Sequence, residues 1–385
     1  ILYSFTESQD KEILEPCKAT LFTGVGQPAV YENLTRPKLK HEEDVIIKVI
    51  KTTICGTDLH ILGGNVFTCK PGTRIGHEGI GVILEKGSKV TKHQVGERVI
   101  CQCITTCGNC KNCDKEFYGH CDNGGWIIGN EIDGMQGEYV RIPFANNSCY
   151  TVPKHLYNTD VEDALVMCSD ILPTGLEVGL LDGNIKKGMT IAIVGLGPVG
   201  MATMICAEIY EPKEIYFVDL NPYRLDVAES LGKMPGFANT KITKIVNTND
   251  DAAEQILKHT DGNGVDLAVE CIGIPKGWEI CQEVAMVGGH IAMLGVHGKP
   301  GVINLERIWY KNFMITAGLV HGYTTQMLID RIVEGTLPAH KLLSHSMKLS
   351  KVEEAYKLFK SGVNCLKILL VNDDEWDNNP HLKEG

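Results

Sequence analysis

Apolar residues in the first part of the chain fall into short runs rich in Val and Ile, separated by Gly and charged turns. On that pattern residues 44–51 (DVIIKVIK), 79–85 (GIGVILE) and 98–103 read as β-strands. Residues 107–126 differ: Cys, Gly, Asn and Lys without apolar periodicity make a loop that cannot build its own core. From about Ile171 the chain alternates short apolar runs, at 191–194, 215–218, 244–246, 266–270, 290–294 and 314–317, with helix-period stretches. Ala202, Ile205, Cys206 and Ile209, for example, stand at i, i+3, i+4, i+7 spacing. Six strands joined by crossovers predict an α/β architecture with a doubly wound parallel sheet. Past about residue 319 mixed character returns, with helices over 325–334 and 351–361 and a strand over 367–371.

A chain of 385 residues suggests two domains. The pattern assigns 172–317 to a nucleotide-binding fold, and 1–171 with 318–385 to a β-rich domain. Lys and Arg number 37 against 48 Asp and Glu, a net charge of −11, which argues against nucleic-acid or anionic-membrane partners. The one stretch resembling a membrane span, 191–210, is broken by Gly195, Gly197, Pro198 and Gly200. No signal-peptide pattern opens the chain, so a cytoplasmic protein is expected, or an organellar one with a trimmed N-terminus. The 15 cysteines include several spaced too closely for a ladder of disulfides, and that spacing favours metal ligation.

Gly195-Leu196-Gly197-Pro198-Val199-Gly200 is a G-x-G-x-x-G directly after a predicted strand and at the start of a predicted helix. In that context the glycines allow a tight turn and close approach of a pyrophosphate to the helix N-terminus. The strand over 215–218 ends at Asp219, 19 residues after Gly200 (219 − 200). A carboxylate there binds both ribose hydroxyls and repels a 2′-phosphate, favouring NAD over NADP; Arg224 softens that preference. The competing reading is an ordinary turn followed by a helix-capping acid. Cys107, Cys110, Cys113 and Cys121 form C-x2-C-x2-C-x7-C, four thiolates suited to a closed, structural zinc site. Disulfides or free surface thiols are the alternative. Cys55-Gly56-Thr57-Asp58-Leu59-His60 and Gly76-His77-Glu78 are weaker signals, each ordinary when taken alone.

Together, Gly76-His77-Glu78-x2-Gly81-x5-Gly87-x2-Val90, the four-cysteine lobe and the Gly195–Gly200 turn resemble the zinc-dependent medium-chain alcohol dehydrogenase family. The likeness spans residues 17–371 and implies a GroES-like catalytic domain joined to a Rossmann domain. It implies two zinc ions per chain, one catalytic and one structural, and NAD. Cys55 and His77 match two catalytic zinc ligands, and Glu78 the acid that approaches or exchanges onto the metal; a persistent Glu78 bond would make the ligand shell net negative, so Glu78 is expected to leave when substrate binds. Thr57 matches the hydroxyl that takes the alcohol proton, His60 the far end of a relay to solvent, and Asp58 the acid orienting the ligand imidazole. Asp170 stands at the third ligand position, where many animal-type members carry Cys and microbial secondary-alcohol members carry Asp. Cys168, two residues away, is the alternative. Gly56 replaces a pyrophosphate-binding Arg, which leaves Lys367 as the expected phosphate contact. The resemblance also puts the nicotinamide near Cys271, Gly273 and Val296.

The expected activity is hydride transfer between a small secondary alcohol or ketone and NAD, in a homodimer or homotetramer. A polyol or L-threonine dehydrogenase is the second enzyme reading, and a non-catalytic nucleotide-binding scaffold is a third of another class. The secondary-alcohol expectation leans on Asp170 and on Trp126 within Gly124–Gly129, whose indole, if it lines the pocket, gives apolar surface to a second alkyl group; the alternative is a core residue that braces the loop.

Overall fold

The computed structural model describes residues 16–26, 30–379 and 382. Residues 1–15, 27–29, 380–381 and 383–385 of the expected β-rich domain lie outside the described residues. The strands in chain order are β1 (Pro16–Leu21), β2 (Val30–Thr35), β3 (Val45–Thr53), β4 (Gly79–Lys86), β5 (Arg98–Cys101), β6 (Tyr139–Ile142) and β7 (Cys149–Thr151). They continue with β8 (Thr190–Val194), β9 (Glu214–Asp219), β10 (Lys241–Val246), β11 (Val265–Glu270), β12 (Ala285–Met293), β13 (Met314–Ala317), β14 (Leu343–Lys348) and β15 (Lys367–Val371).

The six central strands pair in parallel in the order β10-β9-β8-β11-β12-β13. That is the doubly wound order 3-2-1-4-5-6, with its switch point between β8 and β11. Helices on both faces explain why β8 (TIAIV) is apolar on both sides, each residue after Thr190 being buried. The helix Pro198–Ala207 opens with Pro, whose fixed φ suits the first helical turn. It is buried almost all round, wider than the one-faced stripe that the spacing of Ala202, Ile205 and Cys206 suggests, because Gly175 lets a second helix approach closely. A Cβ at Gly175 would stand 2.6 Å from the Thr203 backbone nitrogen.

The second sheet orders β14-β15-β3-β4-β5-β7, with β6 also paired to β3. Its strands are antiparallel except β14 and β15. The pattern misses β1, β2, β6, β7 and β14, which are short, polar or at edges. The four-cysteine region has only two single-turn helices, Cys113–Lys115 and Tyr118–His120. Around 171 the expected domain boundary falls inside a buried helical run from Asp160 to Leu181. The largest core passes through it, joining Ile50, Ile80 and Ile100 to Ile191, Ile193 and Leu267. Among the described residues no single helix is long and apolar enough to cross a membrane.

The β-rich sheet is tied to that run by charge. The fully buried Lys51 on β3 meets Glu162 at 2.6 Å and Asp163 at 2.5 Å, and Arg98 on β5 reaches Glu162 at 2.9 Å. Burial works against the Glu162 charge, but Lys51 and Arg98 outweigh it and hold the carboxyl below its ordinary range. A depressed carboxylate stabilises above its unfolded value, and that contribution is lost as pH falls through the folded value. Lys51→Ala removes the buried cation that Glu162 and Asp163 share, while Arg98 stays on Glu162, and should destabilise by about 3–5 kcal/mol, measured by urea unfolding at neutral pH. The loss should shrink on acidification below the ordinary Glu value of 4.5.

Candidate active site and metal centres

Local sequence sets the first donor. Cys55 caps the short helix Gly56–Leu62 in extended conformation, and Asp58, three residues on, accepts its backbone N–H at 2.9 Å. His77 and Glu78 precede β4 on a turn that needs glycine: Gly76 has φ +92°, and a Cβ there would strike Gln136. Asp170 sits at a break in the helical run, φ −151° and ψ −69°, which turns its carboxylate out of the helix toward Cys55.

One ligand atom from each of Cys55, His77, Glu78 and Asp170 lies within 4.8 Å of all the others. Asp170 Oδ2 is 3.5 Å from Cys55 Sγ and 3.3 Å from His77 Nε2. On the other side of the imidazole, His77 Nδ1 faces Asp58 Oδ1 at 3.5 Å. Asp58 also accepts from Gln136 Nε2 at 3.1 Å, and Gln136 accepts from the Tyr356 hydroxyl at 2.8 Å. Lys367 and Thr53 both hold Glu78 Oε2, while Glu78 Oε1 is buried without a partner. Burial and the neighbouring Glu78 and Asp170 charges push the Cys55 thiol up. Burial opposes charge on His77, yet Asp58 and Asp170 hold the imidazole well above its ordinary value. Burial likewise opposes charge on Asp170, and His77, Lys367 and the Thr174 hydroxyl outweigh it, holding the carboxyl well below the usual range. A thiol, an imidazole and carboxylates converging in the interior, one oxygen left over, fit a zinc ion that displaces protons on binding.

The second set is Cys107, Cys110, Cys113 and Cys121, again within 4.8 Å of one another. The Cys110–Cys113 and Cys107–Cys113 sulfurs stand 3.4 and 3.9 Å apart, too far for a disulfide. They are close to the edge of a tetrahedron with zinc–sulfur bonds of about 2.3 Å. Backbone N–H groups of Asp122 and Cys107 donate to the Cys110 and Cys121 sulfurs, each at 3.3 Å. Donation from the Cys113 and Asp122 backbone lowers the Cys110 thiol to about 6, while burial pushes Cys121 up to about 12.

A cleft of about 900 Å³ runs from the first cluster to the nucleotide fold. Cys55, Thr57, His60, Asp170 and Thr174 line one end, and Gly195, Gly197, Pro198, Val199, Asp219 and Arg224 the other. Cys271 and Val296 lie on its wall, and Gly273 stacks its backbone on Val296. Gly195 has φ +97°, and a Cβ on Gly200 would meet the Gly195 carbonyl at 1.9 Å, so both positions require glycine. Asp219 Oδ2 accepts from Leu196 N–H at 2.7 Å, stitching the turn to the end of β9, with Arg224 4.0 Å away. Thr57 Oγ1 is 3.7 Å from Cys55 Sγ, and His60 Nδ1 is 3.1 Å from Asn65 Nδ2.

Lys367 is corrected by the structure. It is fully buried against Glu78 beneath the first cluster, because β15 pairs with β3 and directs it inward, away from the cleft; it is no pyrophosphate contact. The cations that do line the cleft are Arg224, Lys276 and Lys360. Cys168 packs in the main core near Cys206 and takes no part in the cluster. Trp126 stands edge-on to His77, ring centroids 6.2 Å apart, and packs with Cys103, Ile104, Val178 and Val320. Sequence reasoning missed Cys103, whose thiol lies against Asp170, as well as Gln136, Thr53 and Tyr356. Cys103 had a faint signal, a cysteine four residues before the metal lobe; the others had none, since their partners are remote in sequence.

Residues 41–154 match the alcohol dehydrogenase GroES-like domain, and residues 198–334 the zinc-binding dehydrogenase domain. An alcohol dehydrogenase of Cupriavidus necator is 31% identical over 339 residues, 82% of this chain and 88% of that one. The solved structure of zinc dependent alcohol dehydrogenase 2 from Streptococcus pneumonia is 39% identical, covers 93% of this chain and 99% of its own, and superposes with a TM-score of 0.85. An L-threonine 3-dehydrogenase of Xanthomonas oryzae pv. oryzae is 28% identical over 326 residues, 83% of this chain and 89% of its own. The β-rich sheet with two donor sets, joined to a doubly wound nucleotide fold, is therefore the architecture of a zinc-dependent oxidoreductase. The chain belongs to the zinc-dependent medium-chain alcohol dehydrogenase family.

The two donor sets should be separable by mutation. Asp170→Asn should lose metal from the first set and lower activity by more than about a hundredfold, whereas Cys168→Ala should keep both. Cys113→Ser should halve the zinc content and lower the melting temperature. Metal analysis with thermal unfolding on the three variants checks this.

Proposed function

We propose that the protein interconverts small secondary alcohols and ketones with NAD as hydride carrier, using Cys55, His77 and Asp170 as the catalytic zinc ligands. The observation that carries this reading is the cleft joining a thiol–imidazole–carboxylate set and Thr57 to a Gly-rich turn closed by Asp219. Zinc held there supplies a Lewis acid to an alcohol oxygen, and the nicotinamide supplies the hydride acceptor. Thr57 Oγ1, beside Cys55, is placed to accept the alcohol proton. His60, which lines the cleft near Thr57 and whose pKa is lowered by burial and then by the nearby His297, is the far end of the relay toward solvent. Asp58, fixed by Gln136, orients His77. Lys367 holds Glu78 by one oxygen, drawing that carboxylate back from the set when the substrate oxygen arrives.

Asp219 supports NAD over NADP; Trp126 packs behind the cleft with Ile104, Val178 and Val320, and of these Val320 lines the cleft and gives it apolar surface. The Xanthomonas relative favours a second reading, a threonine or polyol dehydrogenase. A threonine carboxylate needs a cation at the metal end; Arg224 stands by Asp219 and Lys276 pairs with Asp250 at 2.9 Å, which leaves Lys360 as the cleft cation that reading would need. A homo-oligomer is also our reading: β13 ends its sheet and exposes Met314 and Ile315 near exposed Trp309 and Tyr310.

Two measurements test this function. kcat/KM should be higher with NAD than with NADP, and Asp219→Gly should narrow the gap by removing both the ribose hydrogen bonds and the repulsion of a 2′-phosphate. Propan-2-ol should exceed ethanol and threonine at limiting substrate by roughly 10–200-fold, and Trp126→Ala should change the ranking of propan-2-ol against longer alcohols. Faster turnover of threonine would overturn the substrate assignment in favour of the second reading.

A further inference from the structure

A carboxylate that the mechanism above does not use is buried in the wall of the cleft. Glu270, the last residue of β11, is fully buried. Its Oε1 accepts the backbone N–H groups of Ile272 and Gly273, both at 2.9 Å. Its backbone carbonyl accepts from Leu294 at 2.9 Å and Gly295 at 3.1 Å. Its Oε2 stands 3.1 Å from His297 Nε2, and the His297 side chain lines the cleft. Two loops thus converge on one residue. They pack backbone to backbone, for a Cβ on Gly273 would strike Val296 and one on Gly295 would strike Gly273 and Glu270 Oε2. Both loops line the same cleft as the Gly-rich turn, Cys55 and Asp170, so a dinucleotide lying in that cleft passes this junction.

The two forms of a nicotinamide cofactor differ there by one unit charge, a pyridinium when oxidised and a neutral ring when reduced. A fixed buried carboxylate under that wall attracts the oxidised ring, and in a poorly solvated cleft the attraction persists over several ångströms. Backbone N–H donors and the His297 imidazole moderate it. We propose that Glu270 and its hydrogen-bond partner His297 set the relative affinity of the cleft for the two redox forms of its cofactor. Glu270 favours the oxidised form, and His297 keeps that preference small enough for the reduced form to bind. The inference rests on the reading of the cleft as a nicotinamide site. It makes His297 a positioning residue that acts through its contact with Glu270.

The test is the ratio of dissociation constants for NAD and NADH, measured by calorimetry and by NADH fluorescence on the zinc-loaded wild type, His297→Ala, His297→Gln and Glu270→Gln. His297→Ala should shift the ratio toward NAD by about three- to tenfold, Glu270→Gln should shift it toward NADH, and His297→Gln should fall between wild type and His297→Ala. A purely structural role predicts that both constants weaken together with the ratio unchanged, and that result overturns the proposal. Should Glu270→Gln fail to fold, the two His297 variants decide the matter alone. A wild type that binds neither NAD nor NADH overturns the nicotinamide reading itself, a result distinct from binding with an unmoved ratio.

Discussion

Anionic ligands gathered in a protein interior repel one another and lose their hydration, so the structure around Cys55, His77, Glu78 and Asp170 is first a solution to that charge problem. Lys367 stands against Glu78 and also lowers Asp170. Asp58 is held by the Cys55 backbone and Gln136, so its own charge is spent on orienting His77 without adding a free anion to the set. Each compensating group comes from a different part of the chain, and the sheet packing brings them together.

The same logic links fold to cleft. The helical run Asp160–Leu181 carries Glu162 to the β-rich sheet, Asp170 to the metal set and Glu177 to the loop at 321–324, whose backbone it binds at 2.8 Å. One continuous segment therefore registers the two sheets against each other. Because the main core runs through it, a shift of the nucleotide fold relative to the metal set disturbs packed side chains as well as hydrogen bonds. The ordered cysteine lobe extends this rigidity to a stretch that has almost no apolar support of its own.

The parts legible in the sequence were those written locally. Strands β8 to β13, the Gly195–Gly200 turn and the four-cysteine lobe depend on spacing within a few residues, and they fall where the pattern puts them. Asp170 against Cys168 was harder, since the choice turns on a break in backbone dihedrals that no spacing encodes. Lys367 misled because a lysine in a strand gives no sign of which face it occupies until β15 is paired with β3. The relay Tyr356–Gln136–Asp58 was invisible for a related reason: its members lie far apart in sequence, and each is an unremarkable polar residue taken singly.

Lys367 also has a meaning in the order of synthesis. The donors Cys55, His77 and Glu78 emerge early, the carboxylate of Asp170 in mid-chain, and the lysine that neutralises Glu78 only with one of the last strands. Until β15 docks beside β3, Glu78 has no cation of its own and the burial of the set is opposed by its own charge. The ligands of the first set and the lysine beside them are thus spread from residue 55 to residue 367, while the cysteine lobe has all its ligands inside 15 residues (107 to 121).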